Sequence, residues 1–474
     1  MKLSSNIFRG YDIRGIYGEE IDAEGANVLG RSYGTFLKRR KVSQAVVGRD
    51  CRESGEELQK EFMKGLASTG VEVINIGMVL TPMMYYAQYR YQTNGGAIVT
   101  ASHNPGNYNG FKLADGYSHT TETEELQEIK EIGEKEEFFV GAGEIKKVDI
   151  KEEYIQDILK RVNIDKKFKV LVDTGHGTAG LFVPEILKRA GCEVIEQNTS
   201  IDASFPKGTP DPTENAFLER VKKGVLENKA DIGVCFDGDG DRLGVVDEKG
   251  NILLNDTLVA IFAEEVLKRF PRSKIVYNTL CSQAVTKVIE KSNGVPVMWR
   301  TGHSFIKSKI SVEKAAFGGE LSGHFFFVDN FYGHDDGSFA LLRVLDYLAE
   351  RDLTLSEVCE DFPKYISSPE IKVDCADDKK QEVIEQISMK FKEDFPEMKV
   401  VDSSVIEGDD GTRIDFEDGM VLFRYSQNGP YLTVKFEAKD EGKYDERREY
   451  VKGMLESYSE IKLDGPLSVN VEAL

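Results

Sequence analysis

Short apolar runs alternate with segments whose apolar positions recur every three or four residues, and the alternation repeats three times. The first copy runs from Ala45-Val-Val-Gly-Arg-Asp50 through residues 58–67 to Gly70 and Val71-Glu-Val-Ile74. The second runs from Val170-Leu-Val-Asp173 through 182–189 to Gly191 and Val194-Ile195, and the third from Ile275-Val-Tyr-Asn278 through 285–290 to Gly294 and 295–299. The short runs read as strands, and the three- and four-residue spacing as helices that bury one face on a sheet. The glycine after each helix suits a left-handed C-terminal cap. Three βαβ units of similar size predict three similar α/β domains with mixed sheets.

The last hundred residues follow another pattern. Glu370-Ile-Lys-Val-Asp374 alternates, a charged helix-like stretch covers 377–393, and 419–423 and 431–438 read as strands. That order predicts a smaller C-terminal α+β domain. Boundaries placed in the stretch 141–151, at Asp247-Glu-Lys-Gly250 and at Ser367-Ser-Pro369 divide the chain into 1–150, 151–250, 251–369 and 370–474. A length of 474 residues suits three or four domains at about 100–200 residues each. The mixed-sign run 122–137 reads as the solvated face of a helix.

Charge narrows the partners. The chain carries 61 Lys+Arg against 82 Asp+Glu, a net −21, which weighs against nucleic acid as the main partner. Six well-separated cysteines without a CxxC pair read as reduced thiols of a cytoplasmic protein. No apolar h-region follows Met1, and no apolar run approaches the roughly 18 residues of a membrane helix. The expectation is a cytoplasmic protein with a small-molecule ligand, monomeric or weakly self-associating.

The strongest motif is Phe236-Asp237-Gly-Asp239-Gly-Asp241-Arg242. Three carboxylates at alternate positions, with glycines that let the backbone curl, can converge on one hard cation, so Mg2+ or Ca2+ fits better than zinc. An EF-hand is excluded by Arg242 in the place of its glycine and by strand-like flanks. A second motif, Thr100-Ala-Ser102-His103-Asn104-Pro105 with Asn107-Tyr-Asn-Gly-Phe-Lys112, follows a strand at 96–99. It is expected to present the Ser102 hydroxyl, exposed, from a rigid edge, and no Ser-His-Asp arrangement is visible. Gly318-Gly-Glu320-Leu-Ser322-Gly-His324 offers groups that bond vicinal hydroxyls, and Arg300-Thr-Gly-His303-Ser304 with Lys307 is cationic and hydroxyl-rich. Arg424-Tyr-Ser426-Gln427-Asn428-Gly-Pro430 is equipped to hold a phosphate dianion, and Phe8-Arg-Gly-Tyr11-Asp-Ile-Arg14-Gly15 opens the chain with two arginines. A cleft between domains would let these clusters meet.

In order and spacing, these motifs resemble the α-D-phosphohexomutases over essentially the whole chain, most closely the phosphomannomutase/phosphoglucomutase branch. The resemblance implies four domains around a central cleft and reversible phosphoryl transfer between O1 and O6 of a hexose phosphate. Ser102 would carry the phosphoryl group, Asp237, Asp239, Asp241 and a phosphoserine oxygen would hold Mg2+, and a hexose 1,6-bisphosphate would be intermediate and activator. Glu320 and Ser322 would bond sugar hydroxyls, and Arg424, Ser426, Gln427 and Asn428 would grip the non-reacting phosphate. Tyr11, Arg14, Lys112, Arg242, His303 and His324 would line the reacting end, with His303, His324 or Lys112 as proton acceptor.

Several positions depart from the family pattern. Gln427-Asn428 stand where Asn-Thr is usual, Arg300 where Lys is frequent, and Gly106 where a second proline is common, which is expected to loosen the serine loop. Leu321 is closer to the Met of mannose/glucose enzymes than to the Gln of phosphoglucosamine mutases, so a neutral hexose is expected. Phosphoglucosamine mutase is the nearest alternative. A sugar-phosphate binding protein without turnover and a serine-dependent phosphatase are the others.

Overall fold

The computed structural model describes residues 5–8, 10, 12–427 and 429–474. Two compact units divide them. One comprises Met1–Leu258 with Ser322–Glu360, the other Val259–Leu321 with Asp361–Leu474.

The first unit contains two mixed sheets. One has the strand order Ile13–Ile16, Tyr108–Gly116, Gly95–Val99, Gln44–Arg49, Glu72–Met78, Ile145–Lys147. Its first two pairings are antiparallel and the remainder parallel. The helices Ala23–Arg39 and Gly55–Ala67 cover it, with Leu29, Tyr33, Phe36, Phe62 and Leu66 joining Val47, Ala97, Val99 and Phe111 in one apolar cluster. The other sheet runs Ile252–Leu253, Leu243–Asp247, Ile232–Phe236, Lys169–Asp173, Glu193–Gln197. The central strands of both sheets are wholly buried and nearly continuous in apolar residues, as strands covered on both faces must be.

In the second unit, Val295–Trp299, Lys274–Asn278 and Phe317–Gly319 lie parallel. The C-terminal sheet is antiparallel throughout, in the order Val400–Val401, Gly411–Phe416, Gly419–Tyr425, Tyr431–Ala438, Ile371–Cys375, Ile461–Lys462, with Ile366–Ser367 beside Tyr431–Ala438. The helices Lys380–Asp394 and Glu441–Glu456 contribute Ile387, Phe391, Val451 and Leu455 to its core. This is the α+β arrangement that the alternation predicts.

All three expected βαβ units are present with parallel flanking strands. One detail differs. Gly70 and Gly191 take positive φ after their helices, but in the third unit Asn293 does so at φ 60°. Gly294 serves packing instead, because a Cβ there would lie 2.5 Å from Leu267 Cδ1. No disulfide joins the six cysteines, five of which are buried. Among the described residues no helix is long and apolar enough to cross a membrane.

Candidate active site

The buried strand Gly95–Val99 delivers the chain to Thr100 and then to Ser102, which sits in the left-handed region at φ 49°. Its hydroxyl is not exposed as the sequence suggests: Ser102 has no accessible surface, and Oγ donates a 2.7 Å hydrogen bond to Asp237 Oδ2. The cause is the Asp loop, which comes close enough that a Cβ on Gly238 would stand 2.5 Å from the Ser102 carbonyl oxygen. Gly106 has a similar reason. A Cβ there would meet Ala203 O at 2.3 Å, so the residue accommodates a close backbone approach rather than loosening the loop.

The three aspartates sit at the turn of the hairpin Ile232–Phe236 and Leu243–Asp247, which confirms strands on both flanks. All three are fully buried, and one oxygen of each lies within 4.8 Å of the others. Asp237 Oδ1 accepts the backbone N–H groups of Gly240 and Arg242 at 3.1 and 3.2 Å. Asp239 Oδ2 accepts from Thr81 Oγ1 at 2.7 Å and from Lys112 Nζ at 2.9 Å, and Lys112 also reaches Asp241 Oδ2 at 2.5 Å.

Burial and then repulsion from Asp241 and Asp239 push the Asp237 carboxyl well above its ordinary range. Burial opposes ionisation of Asp239 too, yet Lys112 and the hydroxyl of Thr81 hold it below that range. Lys112 loses solvation, but the surrounding aspartates raise it well above an ordinary lysine. Its ammonium bridges two of the three aspartates. Asp239 Oδ1 and Asp241 Oδ1 are buried without a hydrogen-bond partner. Convergent carboxylates with two unserved oxygens fit a hard divalent cation.

Other expected residues join this cluster. Arg14 Nε donates to Asp12 Oδ2 at 2.7 Å, and its Nη1 donates to Asn104 Oδ1 in the serine loop at 2.6 Å. Arg242 Nε donates to His324 Nε2 at 2.9 Å, while His324 Nδ1 lies 2.8 Å from Asp335 Oδ2. The imidazole thus has a guanidinium on one ring nitrogen and a carboxylate beside the other. Asp211 lies 3.9 Å from Arg242; burial alone would raise its carboxyl, but His103 and Arg242 bring it down to about 2.

In the second unit, Arg424 forks onto Asp410, Nε to Oδ1 at 3.0 Å and Nη2 to Oδ2 at 2.6 Å. Gln427 Nε2 reaches the same Oδ2 at 3.1 Å. The longer amide at 427 thus has a definite partner. Lys380 Nζ donates to the carbonyls of Ser426 and Gly429 and props this turn. Glu320 Oε1 accepts the Gly302 N–H at 2.9 Å, just before the buried His303 that opens the helix His303–Glu313. Arg300 lies over the Phe305 ring at 3.6 Å. Ser322 is half-buried and falls in the first unit. Tyr11 and Asn428 lie outside the described residues.

Models of the three α/β/α domains of phosphoglucomutase/phosphomannomutase match residues 5–139, 152–250 and 255–365. The chain belongs to this family. A phosphomannomutase/phosphoglucomutase of Pseudomonas aeruginosa is 38% identical over 443 residues, covering 93% of each chain. A phosphomannomutase of Methanocaldococcus jannaschii is 36% identical over 469 residues, covering 97% of this chain and 99% of its own. The X-ray structure of a phosphoglucomutase/phosphomannomutase family protein from Burkholderia thailandensis superposes with a TM-score of 0.88 at 33% identity, covering 96% and 98% of the two chains.

Several residues of this phosphohexomutase fold that touch the site carry no signal in the motifs. Thr81, Asp335 and Asp410 act on motif residues from elsewhere in the chain, as does Arg52 beneath the serine loop. Asp12 lies inside the opening motif, where the two arginines draw the attention, and holds Arg14. Asp335 lies in the Gly333-His-Asp-Asp-Gly337 turn, whose paired acids between glycines are the one available cue.

Proposed function

We propose that this chain is a phosphohexomutase interconverting the 1- and 6-phosphates of a neutral hexose, mannose or glucose, with Ser102 as the phosphoryl carrier. The observation that supports it most is the 2.7 Å bond from Ser102 Oγ to Asp237, inside a buried triple-aspartate cluster. In the forward half, the Ser102 Oγ–P bond breaks and a bond from phosphorus to a sugar oxygen forms. The proton of that sugar hydroxyl ultimately replaces the phosphoryl group on Oγ. The product of this half is a hexose 1,6-bisphosphate, whose other phosphate then returns to Ser102.

Such transfer needs alignment and charge stabilisation more than covalent assistance from side chains. Asp237, Asp239 and Asp241 would hold Mg2+, which when bound supplies charge stabilisation at the serine oxygen. Lys112, Arg14 and Arg242 offset charge on the transferring group. His324, His303 or Lys112 carries the sugar proton. Glu320 and Ser322 read sugar hydroxyls; Arg424, Ser426 and Gln427, with Asn428, grip the phosphate that is not reacting, and Tyr11 lines the reacting end. The domains of this reading are 1–150, 151–250, 251–369 and 370–474, in a cytoplasmic protein that is monomeric or weakly self-associating.

Intact-mass measurement tests the carrier. The chain should gain one phosphate on treatment with glucose 1,6-bisphosphate, lose it on adding sugar monophosphate, and do neither as S102A. Assays with mannose 1-phosphate, glucose 1-phosphate and glucosamine 6-phosphate decide the sugar. A dominant amino-sugar rate would overturn the neutral-hexose assignment, and net release of inorganic phosphate would indicate a phosphatase.

A further inference from the structure

Arg52 lies beneath the serine loop with its side chain wholly buried. A guanidinium has five N–H donors, and here each meets an acceptor. Nε donates to Asp50 Oδ2 at 3.1 Å, Nη1 to the carbonyls of Pro105 and Tyr108 at 2.6 and 2.9 Å, and Nη2 to those of Ser102 and Asn104 at 2.9 and 2.6 Å. Four carbonyls of one loop are drawn to one planar fork. The Phe205 ring lies 5.4 Å from the guanidinium carbon.

One of those carbonyls belongs to Ser102 itself. A non-glycine residue keeps a left-handed backbone only where its surroundings over-determine it. Both peptide groups beside the Ser102 Cα are held: its carbonyl by Arg52, its N–H by Thr100 Oγ1 at 2.9 Å. Thr100 Oγ1 in turn lies 2.8 Å from Asp50 Oδ2, and Asp50 Oδ1 accepts the backbone N–H of Arg52 at 3.0 Å. Asp50 and Arg52 therefore clamp the serine from both sides.

We propose that Arg52 is a positioning residue for phosphoryl transfer: through the loop carbonyls it fixes the backbone at which Ser102 Oγ is aimed toward Asp237, without touching substrate. This inference rests on Ser102 being the phosphoryl carrier. Lysine is no substitute, because three donors on a single nitrogen cannot span carbonyls on both arms of the fork. The carbonyl of the wholly buried Ser102, left unserved, would lose its hydrogen bond without gaining water.

The test compares R52K, D50N and S102A in the full-length, metal-loaded protein, with circular dichroism to establish folding. R52K should lower kcat about 100-fold, the scale of a small misplacement of a reacting group. D50N should lower kcat about tenfold, and both should leave KM within about threefold, since sugar-phosphate binding is untouched. After treatment with glucose 1,6-bisphosphate, the 31P resonance of phospho-Ser102 should be single and narrow in the wild type and broadened or split in R52K. A folded R52K with wild-type kcat, or with raised KM and unchanged kcat, overturns the proposal. If R52K does not fold, D50N with wild-type kcat overturns it. Activity surviving in S102A would remove the carrier reading itself, whereas an inactive S102A beside an unimpaired R52K would remove only the role of Arg52.

Discussion

Ser102 Oγ and Asp237 Oδ2, 135 residues apart in the chain, share a 2.7 Å hydrogen bond that depends on the missing side chain of Gly238. A Cβ at 238 would stand 2.5 Å from the Ser102 carbonyl, so the two loops would have to separate. G238A is expected to keep its fold and lose kcat by about 100-fold, because the oxygen proposed as phosphoryl carrier would be misaligned. Steady-state kinetics beside a thermal melt would show this; a wild-type kcat would mean that the loops can part without cost.

The second expectation concerns the divalent cation. Two buried carboxylate oxygens, on Asp239 and Asp241, lack hydrogen-bond partners, and three carboxylates share one small volume. Mg2+ at 100 times its dissociation constant should stabilise the fold by about 2.7 kcal/mol. Scanning calorimetry with Mg2+ and then with excess chelator would register the change in Tm. D241N should shrink that Mg2+-dependent shift, whatever its effect on turnover.

Arg424 is expected to act on affinity. Asp410 engages its Nε and Nη2, a bidentate arrangement that fixes the plane of the guanidinium. R424A should raise KM for hexose phosphate by about 10- to 100-fold, the range for losing a hydrogen bond to a charged group. D410N should raise KM less, since the arginine remains but is no longer held. Unchanged KM in both variants would place the phosphate grip elsewhere.

A pH dependence follows from Asp409. Burial, and then the charge of Asp410, push its carboxyl up to about 8, although Arg424 works against this. The folded state therefore keeps a proton that the unfolded chain releases near pH 4. Stability from this group is full below the ordinary carboxylate range and is lost as pH rises through about 8. D409N, neutral at every pH, should abolish this part of the slope and raise Tm at pH 8 by about 2–4 °C relative to wild type. Melts from pH 5 to pH 9 would reveal it, and parallel wild-type and D409N curves would refute it.

Much of this architecture was legible in the amino-acid order. Each βαβ unit is local: apolar spacing, helix length and turn residues lie within about thirty positions, and local periodicity suffices to indicate strand, helix and strand. The triple-aspartate turn was equally plain, since its glycines and carboxylates are adjacent and its strand-like flanks exclude an EF-hand. Tertiary structure decided what those groups touch. The Ser102 hydroxyl is buried because a loop more than a hundred residues away closes over it, and Lys112 is a cation because Asp239 and Asp241 surround it. The clamp of Arg52 on four carbonyls left no mark on the chain, because a backbone carbonyl belongs to every residue and only the folded path brings these four to one fork.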